Sequence, residues 1–181
     1  HGNGTHTECV GHIAKVQHSV QESFDQFHFI AKLITISPRI IDNGDLVIQE
    51  DQITAALGEE LYDAIIIRTL PNSIKLKKID YSESNPPYIE VACMPHILNK
   101  GIKHLLIDLP SVDRESDEGA LASHHAYWQY PAFSHDKKTI TELVYIDNVH
   151  QDGLYLLEMQ VTPLVLDASP SRPVLYPLHI M

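Results

Sequence analysis

Ala64-Ile-Ile-Ile67 is an unbroken apolar run with three β-branched residues, the pattern of a strand covered on both faces. Lys103-His-Leu-Leu-Ile-Asp108 carries a second strand of the same kind. Strands of this type need cover on both sides, which is the requirement of a mixed α/β fold and not of an open meander. The flanking segments supply the other elements. Phe27 to Ser37 reads as a strand closed by Pro38, and Leu46 to Ile48 as a short one. Asp51 stands where the N-cap of a helix through Ala55, Ala56 and Leu57 is expected. Tyr88 to Leu98 has helical spacing at Ile89, Ala92, Cys93 and Ile97, with Pro95 asking for a kink or a late start. Gly119 to Trp128 is a further helix. Strands are expected at Ile140 to Ile146, Leu154 to Val161 and Pro173 to Leu178, with Asp167 to Arg172 a turn-rich connector between the last two. The order predicts one mixed α/β domain over residues 1–181.

Chemistry is concentrated at the opening. Residues 1–12 hold three histidines and a carboxylate: His1, His6, Glu8 and His12. Imidazole and carboxylate together are what a catalytic divalent metal requires. On an extended strand His6 and Glu8, two apart, leave the same face, and His12 would sit nearby as a proton carrier. The block has no apolar periodicity, so a polar loop with incidental histidines fits the same residues. So dense a motif has no preceding strand to hold it, and further residues upstream are expected.

Composition narrows the function. The formal charge is −11, from 24 acids against 13 bases, which argues against a nucleic-acid surface, since phosphate binding wants clustered Lys and Arg. No apolar run approaches a membrane span. Two cysteines, Cys9 and Cys93, form neither a disulfide framework nor a four-thiolate zinc site, and a cytoplasmic location is expected. Partner groups for the opening block must come from later in the chain. His124-His125 and Glu142 are the candidates. Glu142 is a carboxylate among apolar strand residues; it either faces solvent or points inward and needs a cation to offset its desolvation. His124 is either a second ligand or a satisfied helix histidine.

Gly4-Thr-His6-x-Glu8-x3-His12, then Leu106-Ile-Asp108-x-Pro-Ser-Val-Asp113, His124-His125, Glu142 and Leu166-Asp-Ala-Ser-Pro-Ser-Arg172-Pro-Val occur in one order. This order resembles the cyclase family of metal-dependent hydrolases, whose best-known enzymatic members are bacterial kynurenine formamidases. The family pattern near the start is His-x-Gly-Thr-His-x-Asp-x-Pro-x-His. The resemblance implies the swivelling β/β/α fold of that family, with strands in a barrel-like core and helices outside. It implies His6, Glu8, His124 and Glu142 as ligands of one or two divalent ions, zinc first and manganese second. His12 takes the place of the proton-transferring histidine, acting as general acid and base while metal-activated water is the nucleophile. The implied substrate is a small amide or cyclic carbonyl compound, and the implied assembly a homo-oligomer, a dimer or tetramer. The apolar stretch Leu154 to Val161 is a candidate for its interface.

The chain departs from that pattern in three places. Gly2 occupies the position of the family's first histidine, so His1 would be a ligand only if the loop carries an extra residue. Glu8 replaces an Asp and Val10 a Pro. The stretch between His124 and Glu142 is long and adds Trp128, Tyr130 and Phe133; Trp128, Tyr127 and Tyr130 are read as core or subunit contacts before substrate contacts. These departures motivate an alternative function: a small-molecule-binding protein on the same fold that has lost turnover.

Overall fold

A computed structural model describes residues 2–132 and 137–178. His1 and Phe133 therefore lie outside the described residues. The first strand is β1 (His6–Cys9), followed by β2 (His28–Ile36), β3 (Arg39–Ile40), β4 (Leu46–Ile48), α1 (Glu50–Leu57) and β5 (Ala64–Thr69). Then come β6 (Tyr88–Ile89), α2 (Cys93–Asn99), β7 (His104–Ile107), α3 (Ala122–Trp128), β8 (Thr139–Glu142), β9 (Gly153–Glu158), β10 (Ala168–Pro170) and β11 (Val174–Pro177). Eight strands form one sheet in the order β10-β1-β8-β7-β5-β2-β9-β11, and β3-β4-β6 form a small second sheet. Strands β2, β5, β7 and β8 run parallel in the centre, and antiparallel strands extend the sheet at both ends.

The period of two divides the central strands between two cores. Ile34, Ile65, Ile67, Leu105 and Ile107 face Ile53, Met94, Ile97 and Trp128 of the three helices. Leu33, Ala64, Ile66 and Leu106 face the other way, against Tyr155, Leu157, Met159, Val144 and Ile146. That second core is built from the sheet's own strands and connections, so the sheet curls on itself as a half-barrel and the helices cover its outer side. Both faces of β5 and β7 are buried, which is why their sequences lack alternation.

Several elements differ from the sequence expectation. Helix α1 begins at Glu50, not after Asp51: the Gln52 side chain accepts from the Gln49 backbone N–H at 3.0 Å, closing the first turn, and Asp51 pairs with Arg39. Tyr88–Ile89 is a strand, and α2 starts only at Cys93, which places Pro95 in the first turn where its missing N–H costs nothing. Helix α3 starts at Ala122, three residues later than Gly119, and β8 ends at Glu142 because Leu143 adopts a left-handed φ of 54°. The connector Asp167 to Arg172 contains β10, which pairs antiparallel with β1. The apolar residues of Leu154 to Val161 are accounted for within the chain: β9 lies between β2 and β11, with Leu157 and Tyr155 in the inner core. Cys9 and Cys93 are both free and buried. Among the described residues no helix is long and apolar enough to cross a membrane.

One core group ties stability to pH. His104 on β7 is buried between Phe24 and Phe29, with Nδ1 2.8 Å from Thr139 Oγ1. Burial, with a smaller contribution from Lys103, pushes its pKa down to about 3. Between pH 6.5 and that value the unfolded chain binds a proton there and the folded chain does not, so stability falls as pH falls. A His104→Phe variant removes this group from the balance. Its loss of stability between pH 6.5 and 5 should be smaller than that of the parent chain by roughly 1.4 kcal/mol per pH unit, read from urea midpoints at the two pH values.

Candidate metal centre

Strand β1 sits between β10 and β8, and its register sets the site. His6 is the direct cross-strand partner of Glu142, and Glu8 that of Ile140. Directly opposed residues share a face, so His6, Glu8 and Glu142 all project to the side where Ile140 meets the helices. The opposite face of β1 is used structurally: Thr7 Oγ1 lies 2.8 Å from both Thr141 Oγ1 and Ser171 Oγ. His124 reaches the same place from α3. Its position is fixed by Asp113, whose carboxylate accepts the Ser123 and His124 backbone N–H groups at 2.7 and 3.1 Å. That carboxylate caps the helix from the preceding loop, since Leu121 at the N-cap has no side chain able to do so.

His6, Glu8, His124 and Glu142 are each at most 4% exposed. His6 Nε2 lies 3.3 Å from Glu142 Oε2, and His124 Nε2 lies 2.8 Å from Glu8 Oε1 and 3.8 Å from Glu142 Oε1. Both imidazoles are held by their other nitrogen. His6 Nδ1 is 2.9 Å from the Gly4 carbonyl, and His124 Nδ1 is 2.6 Å from Asp113 Oδ2. Nδ1 therefore carries a proton in each ring, and both Nε2 atoms are turned toward the two carboxylates. Glu142 is held in turn by the Val112 N–H, which donates to Oε1 at 3.1 Å. His12 stands at the edge of the group, 32% exposed, with Nδ1 3.5 Å from Glu8 Oε2 and 3.3 Å from Asp167 Oδ2.

The electrostatics are those of a site that wants positive charge. Burial and the neighbouring Glu8 charge push the Glu142 carboxyl upward. Burial drives His124 toward its neutral form, but the Asp113 and Glu8 carboxylates outweigh it and carry the pKa up to about 10. His6 moves upward for the same reason: burial opposes charge, and the Glu142 hydrogen bond and the Gly4 carbonyl overcome it. Asp113 is driven up by burial but ends below its ordinary value through its bonds to His124 and the Ser123 N–H. Two buried carboxylates and two imidazoles with inward Nε2 atoms fit a divalent cation, which would take the place of the imidazolium protons. Two groupings of donor atoms lie within 4.8 Å of one another: His6, Glu8 and Glu142, and Glu8, His12 and His124. Glu8 belongs to both.

The structure thus brings together five of the six residues singled out in the sequence, and His1 lies outside the described ones. Glu142 points inward and not to solvent. Trp128 and Tyr127 are core residues, with the Trp128 ring 5.5 Å from that of His124, and Tyr130 OH accepts from the Lys15 N–H at 3.3 Å. Sequence reasoning gave no role to Asp113 and Asp167, which hold His124 and His12. The signal was present in the two late blocks, each of which places an acid beside a proline-containing turn, but nothing in either block says which side chain it meets.

The Cyclase family model matches residues 1–114 of the chain. Kynurenine formamidase of Bacillus cytotoxicus is 36% identical over 95 residues, covering 51% of this chain and 41% of that protein. The Bacillus anthracis kynurenine formamidase is 35% identical over the same length and shares. The match therefore spans under half the length of these relatives. Among solved structures, a potential metal-dependent hydrolase with cyclase activity superposes with a TM-score of 0.72 at 18% identity, over 96% of this chain and 78% of that one. An isatin hydrolase bound to the product analogue thioisatinate gives 0.63 at 16% identity, over 98% and 73%. At such identities these structures speak for the fold, and they extend over β8 to β11, which the family model does not reach. The chain belongs to the Cyclase family.

Proposed function

We propose that the protein is a divalent-metal-dependent hydrolase of a small amide or cyclic carbonyl compound, of the kynurenine formamidase type. One observation carries this reading: two imidazoles anchored through Nδ1 present Nε2 to a pair of buried carboxylates. An outer carboxylate or carbonyl on the far nitrogen is the usual support of a metal-ligating histidine. His6, Glu8, His124 and Glu142 would hold the ion, which when bound supplies Lewis acidity and lowers the pKa of water toward ~7.

The chain's own residues do the rest. Glu8 and Glu142 balance the ion's charge. Asp113 and the Gly4 carbonyl keep the two rings in the tautomer that leaves Nε2 free. His12 lies between Glu8 and Asp167 on the solvent side, where it would take up a proton and return it to the departing nitrogen. An aniline or amine leaves poorly unless it is protonated, so hydrolysis of an amide needs such a donor within reach. The imidazole and carboxylate donors favour zinc, with manganese the alternative. The shared position of Glu8 leaves room for a second ion on the side of His12. Family likeness supports a homo-oligomer, and two unpaired buried thiols support a reducing cytoplasm.

The test is metal content together with turnover. After zinc or manganese loading, the purified protein should retain at least one ion per chain and hydrolyse N-formylkynurenine or a simple aryl formamide. Retention below one ion per chain overturns the reading. Ligand binding without turnover at saturating metal replaces it with the binding-protein alternative.

A further inference from the structure

Leu143, the residue after Glu142, has a left-handed φ of 54°. For a bulky L-residue this region is disfavoured, because Cβ crowds the following carbonyl. Such backbone persists where its surroundings impose it, and it gathers at functional sites. Among the described non-glycine residues with positive φ, the two apolar ones are Leu121 and Leu143. Leu121 stands at the start of α3, three residues before His124, and its N–H donates to Asp117 Oδ2 at 2.6 Å. Each of these two turns adjoins a candidate metal donor.

Two hydrogen bonds hold the Leu143 turn, one at each end of the residue. Its N–H donates to the Leu109 carbonyl at 2.9 Å, and Thr5 Oγ1 donates to its carbonyl at 2.7 Å. The first bond carries the chain off the β1 ladder toward the end of β7, where the Val144 N–H meets the Ile107 carbonyl at 3.1 Å. The second ties the departing chain back to the residue before His6. Thr5 also follows Gly4, whose carbonyl lies against His6 Nδ1. One hydroxyl therefore connects the turn beside Glu142 to the segment that orients His6, across 138 positions of sequence. A water from the cavity lined by Gly4, Thr5 and Leu143 would satisfy the Leu143 carbonyl but would tie it to nothing.

We propose that Thr5 is a positioning residue: its hydroxyl holds Leu143 in the left-handed turn and so fixes His6 Nε2 and Glu142 Oε2 relative to one another. The inference rests on the metal-centre reading for its effect on an ion, but not for its effect on the two donors. Without the hydroxyl, Leu143 relaxes to a negative φ. The rotation passes to Glu142, its immediate neighbour, and opens the 3.3 Å contact with His6. A glycine needs no such hold, since it enters this region freely.

Thr5→Val, Thr5→Ser and Leu143→Gly, alone and combined, test this. Zinc affinity is read by competition with a chromogenic chelator, well below the melting temperature. It should fall by about 10- to 100-fold in T5V, the usual cost of a lost outer partner, and stay within about 2-fold of the parent in T5S. In the L143G background the same Thr5→Val change should cost about 2-fold or less. A purely structural role lowers the melting temperature of T5V while its folded form keeps the parent's zinc affinity. That result overturns the proposal, as does an equal loss in both backgrounds or in T5S. If T5V alone does not fold, L143G must restore its folding, and failure to do so overturns the proposal. If the parent takes up no zinc, the metal-centre reading fails by itself. The crystal structure of metal-free T5V then decides: a negative φ at Leu143 with His6 and Glu142 out of hydrogen-bond reach supports the assignment, and retention of either the turn or the contact overturns it.

Discussion

His6→Ala is expected to release the divalent ion and remove hydrolysis together. His6 supplies an inward Nε2 directly across the strand pair from Glu142. Glu142→Gln should act similarly, since it removes one of the two charges that the ion would neutralise. Asp113→Asn provides the scale: it reaches the site through the His124 ring and the start of α3 and should weaken metal affinity by about 10–100-fold, the usual cost of a lost outer partner. Loss in H6A beyond that range, by metal analysis after dialysis against a weak chelator, identifies a ligand. Unchanged occupancy removes His6 from the site. A melting curve of H6A beside that of the parent, both without metal, separates loss of the ion from loss of the fold.

His12→Ala should separate catalysis from metal binding. As a proton carrier His12 contributes on the order of 10²–10⁴ in rate, so kcat falls by that factor while one ion per chain is retained. Its exposure at the edge of the cluster and its pairing with Asp167 suit that role. The same residue also stands in the second donor grouping with Glu8 and His124. If it holds a second ion, stoichiometry in H12A falls from two to one along with activity. Metal counts on the parent and variant distinguish these two outcomes, and a variant with full activity excludes both.

Much of the site was legible because it is carried by short blocks with local periodicity. His6 and Glu8 share a face by the geometry of any strand, and Glu142 stood out as a charge among apolar neighbours. The register that sets His6 against Glu142 was not legible, because antiparallel pairing between residues 136 positions apart leaves no mark within either segment. Asp113 and Asp167 were missed for the same reason: each acts on a histidine from a different part of the chain. The central strands were found because burial on both faces writes a continuous apolar run. The late start of α3 was not, since its first-turn N–H groups are capped by Asp113, nine residues ahead of Ala122. Residues 168–170 looked like connector because Pro and Ser dominate them, yet an edge strand tolerates proline where its N–H would face outward.

The insertion of β1 between β8 and β10 has a consequence for dynamics. A strand of four residues near the edge of a sheet is among the first segments to fray, and here it bears two of the four buried donors. Any ion bridging His6 and Glu142 would act as a clasp on that strand pair, so occupancy and local opening become two readings of one equilibrium. Amide exchange along Thr7 to Cys9 would then slow in step with ion concentration, while β5, deep in the sheet, keeps its own rate.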